Sequence, residues 1–206
     1  MPELRFRFVK EGRAAYLSHL DMMRTFQRAF IRAGMQVKHS EGFNPHPKMS
    51  IAMPLQLGCE SVCEALDVSL LEQPENAVER LNAALPEGIR VRSQAAPEMP
   101  VKVIAWTEWA LRFETQEDAF KAAEALKNAS LPVEKKTKRG FGTLDIAPHI
   151  TLLGQEGPEL SIRLKAFEPT VNCADVQKAV YLSLPGQKPF KALRIGLKTA
   201  DLQDFR

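Results

Sequence analysis

The chain has 206 residues, of which 45 % are hydrophobic and 26 % charged, with a formal net charge of +3. This length accommodates one large or two small domains, and this composition excludes a disordered or fibrous chain. No run approaches the ~20 apolar residues that a bilayer span needs, and Met1-Pro2-Glu3-Leu4-Arg5 has no signal-peptide core, so a cytoplasmic protein with no membrane partner is expected.

In chain order, Leu4, Phe6 and Phe8 alternate with Arg5 and Arg7, the period of a half-buried strand, and Glu11-Gly12-Arg13 ends it. Ser18 to Asp21 has the form of a helix start and Gly34 of a stop. Between them Met22, Phe26, Ala29, Phe30 and Ala33 build one apolar stripe. Arg24, Arg28 and Arg32 recur every fourth residue, within a sector about 80° wide on the far side of the helix. A solvated face and a partner-binding face both fit this row, and Leu20 and Ile31 beside it favour the partner.

The next segment, Gly42-Phe43-Asn44-Pro45-His46-Pro47-Lys48, is a loop stiffened by two prolines, which push Asn44 and His46 towards extended backbone. Phe43 either stacks on a base or fills a partner's pocket, or else pins the loop to its own domain. Ser50 to Leu57 reads as a strand interrupted at Pro54, Gly58 as a turn, and Leu66, Val68 and Leu70 as the returning strand. A helix over 74–85 and a strand at Ile89 and Val91 complete a first half, and the boundary falls in Ala95 to Pro100.

The same order recurs beyond it. Val103 to Glu114 is a strand. Gln116 to Ala129 is a helix with Ala119, Phe120, Ala123 and Leu126 on one side, and Leu131 to Thr137 is extended. Leu144 to Leu153 and Leu160 to Phe167 form a hairpin, Ala174 to Leu184 is helical, and Leu193, Ile195 and Leu197 mark a last strand. The expected fold is α+β, two tandem ferredoxin-like βαββαβ units with antiparallel sheets, over residues 1–96 and 101–206.

Residues 1–48 hold nine Lys and Arg against four Asp and Glu, while residues 60–98 hold three against eight, so the first element is a basic patch on a nearly neutral protein. A second basic run, Lys135, Lys136, Lys138 and Arg139 before Gly140-Phe141-Gly142, is either a phosphate clamp or a solvated hairpin. Cys59 and Cys63 are spaced C-x3-C, but position 66 is Leu, so no iron–sulfur cluster is expected. His19, His39, His46 and His149 show no zinc spacing, and no cofactor or metal is expected.

Tyr16-Leu17-Ser18-His19-Leu20-Asp21, Arg24, Arg28-Ala29, Arg32-Ala33-Gly34, Glu41 to Lys48 and Pro54-Leu55-Gln56-Leu57-Gly58 resemble the radical SAM-linked protein family. Its members carry a domain of unknown function encoded beside or fused to a cobalamin-binding radical SAM protein. The resemblance is specific over residues 4 to about 70. It implies a bacterial accessory protein with a radical SAM partner, and it brings no catalytic residues. The expected function is therefore noncatalytic docking of that enzyme, and of an RNA or other anionic substrate, through His19, Arg24, Arg28, Arg32, Gly42, Phe43, Asn44, His46, Lys48, Lys136, Lys138 and Arg139. An RNA-binding protein is the alternative, as is a metal-independent endoribonuclease using His19 or His46 as acid or base.

Overall fold

The computed structural model describes residues 3–72, 74–137 and 140–206, with only the backbone of Lys136 and Thr137. The fold is mixed α+β, four helices packed on mostly antiparallel sheet. It divides into two compact units, Met1–Val101 with Arg206, and Lys102–Phe205. Among the described residues no helix is long and apolar enough to cross a membrane.

The first unit runs β1 (Glu3–Lys10), α1 (His19–Arg32), β2 (Met49–Ile51), β3 (Glu60–Ser69), α2 (Ala77–Ala84) and β4 (Ile89–Ala95). β1 lies between β4 and β3, and β2 pairs with β3 on its other edge, all antiparallel. The alternation of β1 turns Leu4, Phe6 and Phe8 onto the helices, where Phe8 meets Phe26 edge-on at 4.8 Å and Phe6 meets Phe30 at 5.7 Å. Ser18 caps α1 by accepting from the Asp21 amide at 3.1 Å. Gly34, at φ +66°, closes it in a left-handed turn that returns the Met35 amide to the Phe30 carbonyl. On the opposite face of β1, buried Arg5 forks onto Asp67 at 2.6 and 2.8 Å and donates to the carbonyls of Met99 and Arg206.

The second unit runs β5 (Ile104–Arg112), α3 (Gln116–Leu126), β6 (Pro132–Thr137), β7 (Gly140–Asp145), β8 (Ile150–Glu156), β9 (Glu159–Lys165), α4 (Cys173–Ser183) and β10 (Lys191–Thr199). Its sheet order is β10-β5-β9-β8, with β6 and β7 forming a separate two-stranded sheet. Thr115 caps α3, and Asn172 with Asp175 forms a reciprocal capping box on α4.

Several expectations are corrected. The strand expected over 50–57 pairs only over Met49–Ile51, since Pro54 has no amide to give and Gly58 turns at φ +80°. The strand expected from Leu144 to Leu153 is broken at Ala147–His149, where Pro148 starts a tight turn, so β7 leaves the main sheet and pairs with β6. Phe120 faces solvent, and α3 packs through its alanines and Leu126, small enough to bring the helix close to the sheet. A bulge between Arg194 and Gly196 reverses the expected phase of β10: Arg194 is buried over Trp109, 5.7 Å from the ring, and Ile195 turns out.

Phe26 is wholly buried in the α1 contact with β1. Phe26→Ala should lower the unfolding free energy by about 3–5 kcal/mol in urea or thermal denaturation.

Candidate functional site

Beyond α1 the backbone is laced to the end of β3. The Leu71 amide donates to Gln36 O at 3.0 Å, the Lys38 amide to Ser69 O at 2.8 Å, and the Ser69 amide to Lys48 O at 2.9 Å. Residues 38–48 thereby form a hairpin with its own rungs, Lys48 N to Lys38 O at 2.7 Å and Ser40 N to His46 O at 2.8 Å, while Ser40 Oγ accepts from the His46 amide. At its tip Gly42 takes φ +119°, a conformation that side chains resist, and lifts Phe43 outward. Phe43 is fully exposed, so it does not pin the loop; Gly42, Asn44, His46 and Lys48 are exposed with it.

Arg24, Arg28 and Arg32 are all exposed, but they are not equivalent. Among the described residues Arg24 makes only a 3.5 Å contact with Asp21, which itself accepts from the Ser18 hydroxyl at 2.7 Å. Arg28 has no partner among the described residues. Arg32 donates to the Ala84 carbonyl at the end of α2, while Arg80 of α2 donates to the Ala33 carbonyl at 3.0 and 2.6 Å and to Gly34 O at 3.2 Å. Each helix thus caps the other's orphan carbonyls. That contact ties Arg32 to the end of α2, whereas Arg24 and Arg28 make no such contact among the described residues. The position of Arg32 in the last turn of α1 was the available signal.

The sequence reading missed a groove of about 740 Å³ between α1 and the base of the hairpin. Ile31, Met35, Val37, Pro47 and Leu71 line it together with Gly34 and the polar residues Gln27, Gln36 and His39. Ile31, noted beside the arginines, is 76 % exposed on its wall. His19, the first residue of α1, is exposed at the other end of the helix, and the His19 and His46 imidazoles have no hydrogen-bond or ion-pair partner among the described residues.

In the second unit Lys135 is spent on Asp175 at 2.8 Å and on the Thr170 carbonyl. Lys138 and Arg139 lie outside the described residues, as does the Lys136 side chain. Phe141 is exposed opposite Lys136 in the β6–β7 register. Among the described residues no three His, Cys, Asp or Glu side chains gather as metal ligands.

Residues 3–178 match the profile of a family described as uncharacterized proteins conserved in bacteria (DUF2344). The chain belongs to the DUF2344 family. No curated protein matches this DUF2344 sequence. Among solved structures, one described as the crystal structure of a Cbf5-Nop10-Gar1 complex aligns over 94 % of the chain at 13 % identity and a TM-score of 0.46. The DUF2344 chain spans 48 % of that polypeptide, and a likeness at this level carries no functional argument.

Asp145, four residues before His149, is committed to structure: one carboxylate oxygen accepts from the Leu131 amide at 2.8 Å and the Ala147 amide at 3.0 Å, closing the base of the β6–β7 hairpin. These amides first, then the Ser130 side chain, hold its pKa below the ordinary carboxylate value. The unfolded chain therefore binds the proton more readily, and the stability Asp145 adds is complete above about pH 4 and lost as pH falls through the lower folded pKa. Asp145→Ala should lower Tm at pH 7, with the gap to wild type closing below pH 4 in a pH series of melts.

Proposed function

We propose that this chain is a noncatalytic accessory protein that docks a radical SAM enzyme of the cobalamin-binding type through the face formed by α1 and the 38–48 hairpin. The observation that carries the reading is Phe43, an aromatic held fully in solvent at the end of a backbone-braced hairpin. Leaving that much apolar surface in water is unfavourable by roughly 2 kcal/mol, a cost that binding a partner recovers. The guanidiniums of Arg24 and Arg28 and the exposed Leu20 and Ile31 extend the surface along α1. The partner class follows from the resemblance of the α1 and hairpin motifs to the radical SAM-linked family, and such a partnership fits a cytoplasmic protein.

The strand orders β4-β1-β3-β2 and β10-β5-β9-β8 support reading the chain as two ferredoxin-like units, the second with β6–β7 inserted. In that arrangement both helices of a unit cover one sheet face, and α1 is left with an outer side for recognition. A ribonuclease reading has less support, because neither His19 nor His46 is paired with a second acid or base among the described residues.

The tagged protein should retain a radical SAM enzyme from nuclease-treated native lysate, identified by mass spectrometry, and Arg24→Glu with Arg28→Glu should reduce that retention at least about tenfold. RNA incubated with the purified protein without metal should stay intact. Absence of a radical SAM enzyme from the wild-type eluate, or RNA cutting that His46→Ala abolishes, would overturn the proposal.

A further inference from the structure

The groove beside α1 differs in chemistry from the arginine row that borders it. Its lining contains no Lys, Arg, Asp or Glu. Ile31, Met35, Val37 and Leu71 supply aliphatic and thioether walls, and Gln27, Gln36 and His39 are the polar residues of the lining, the two glutamine side chains having no hydrogen-bond partner among the described residues. An amide offers donors and an acceptor side by side, which complements the edge of a nucleobase. The volume of about 740 Å³ lies in the range of small-ligand sites and exceeds what one base fills.

We infer that this groove is a nucleobase site, through which the α1 and hairpin face takes single-stranded RNA. A base needs flat apolar contact on its faces and polar groups at its edge, and the groove supplies both. Its phosphates need positive charge outside the apolar slot. Arg24 and Arg28 lie just around the helix from Ile31, and Arg28 has no partner among the described residues. Phe43, at the end of the hairpin whose base includes Pro47 of the groove wall, is a second stacking platform for a neighbouring base. A carboxylate or free phosphate finds no Lys or Arg inside the groove. The surplus of five positive charges over residues 1–48 adds the long-range attraction that a polyanion requires.

This inference shares its surface with the docking proposal but not its test, since it concerns the isolated protein and no enzyme. Fluorescein-labelled RNA decamers A10, C10 and U10 are titrated with the full chain by anisotropy across a salt series. At least one should bind more tightly than an inorganic polyphosphate of equal charge. Gln27→Leu with Gln36→Leu should weaken that RNA about tenfold or more without changing the salt slope. Leu71→Trp, which fills the groove while leaving both amides, should weaken it likewise, so a folding defect in one variant does not decide the matter. Both variants should still retain the radical SAM enzyme. Equal affinity for polyphosphate and all three RNAs, or unchanged affinity in both groove variants, overturns the base site. Full competition by micromolar AMP, CMP or UMP would assign the groove to a free nucleotide, and competition only by an amphipathic acidic peptide would assign it to protein; either result overturns the RNA strand.

Discussion

Three backbone hydrogen bonds between residues 36–48 and the end of β3 determine what the first unit presents to its surroundings. Once Lys38 and Lys48 are both paired to Ser69, the eleven residues they bound have little freedom left, and Pro45 and Pro47 remove more. Ordering occurs at folding, so a partner meeting Phe43 need not supply it at binding. A loose loop with the same sequence could fold Phe43 back onto the domain. The same lacing sets the distance between hairpin base and α1, and therefore the width of the groove.

The arginines illustrate how one periodic pattern divides between structure and surface. Arg32, nearest the carboxyl end of α1, finds the exposed carbonyl of Ala84 within reach, and Arg80 answers from α2. Charged donors on helix-end carbonyls are favourable even near water, because those carbonyls lack intrahelical partners. Arg24 and Arg28, a turn or two earlier, have no such carbonyls beside them. Their charges remain available to a partner, next to apolar side chains that a purely solvated helix would not expose.

Much of the first unit was legible because its signals agree with one another. Ser18 and Gly34 bound α1 as their chemistry requires, and the alternation of Leu4, Phe6 and Phe8 identifies the face that meets Phe26 and Phe30. What escaped depends on residues distant in sequence. The Arg32–Arg80 exchange spans two helices, and the groove brings Gln27 and Met35 against Leu71. In the second unit a bulge at Ile195 and a proline turn at Pro148 override local periodicity, turning Ile195 out of the alternation with Leu193 and Leu197 in the first case and starting a new strand in the second. Phe120 was misread because an alanine-rich stripe packs well enough without it.

The central claim is that the braced hairpin carries Phe43 into contact with a partner. Replacing Phe43 by a photoreactive benzoyl-phenylalanine and irradiating the protein in native extract tests this directly, with the same residue at exposed Phe120 as the control. The account predicts a crosslink to a radical SAM enzyme from position 43 and none from position 120. Equal crosslinking from both positions, or adducts from position 43 only to this chain's own residues, would contradict it.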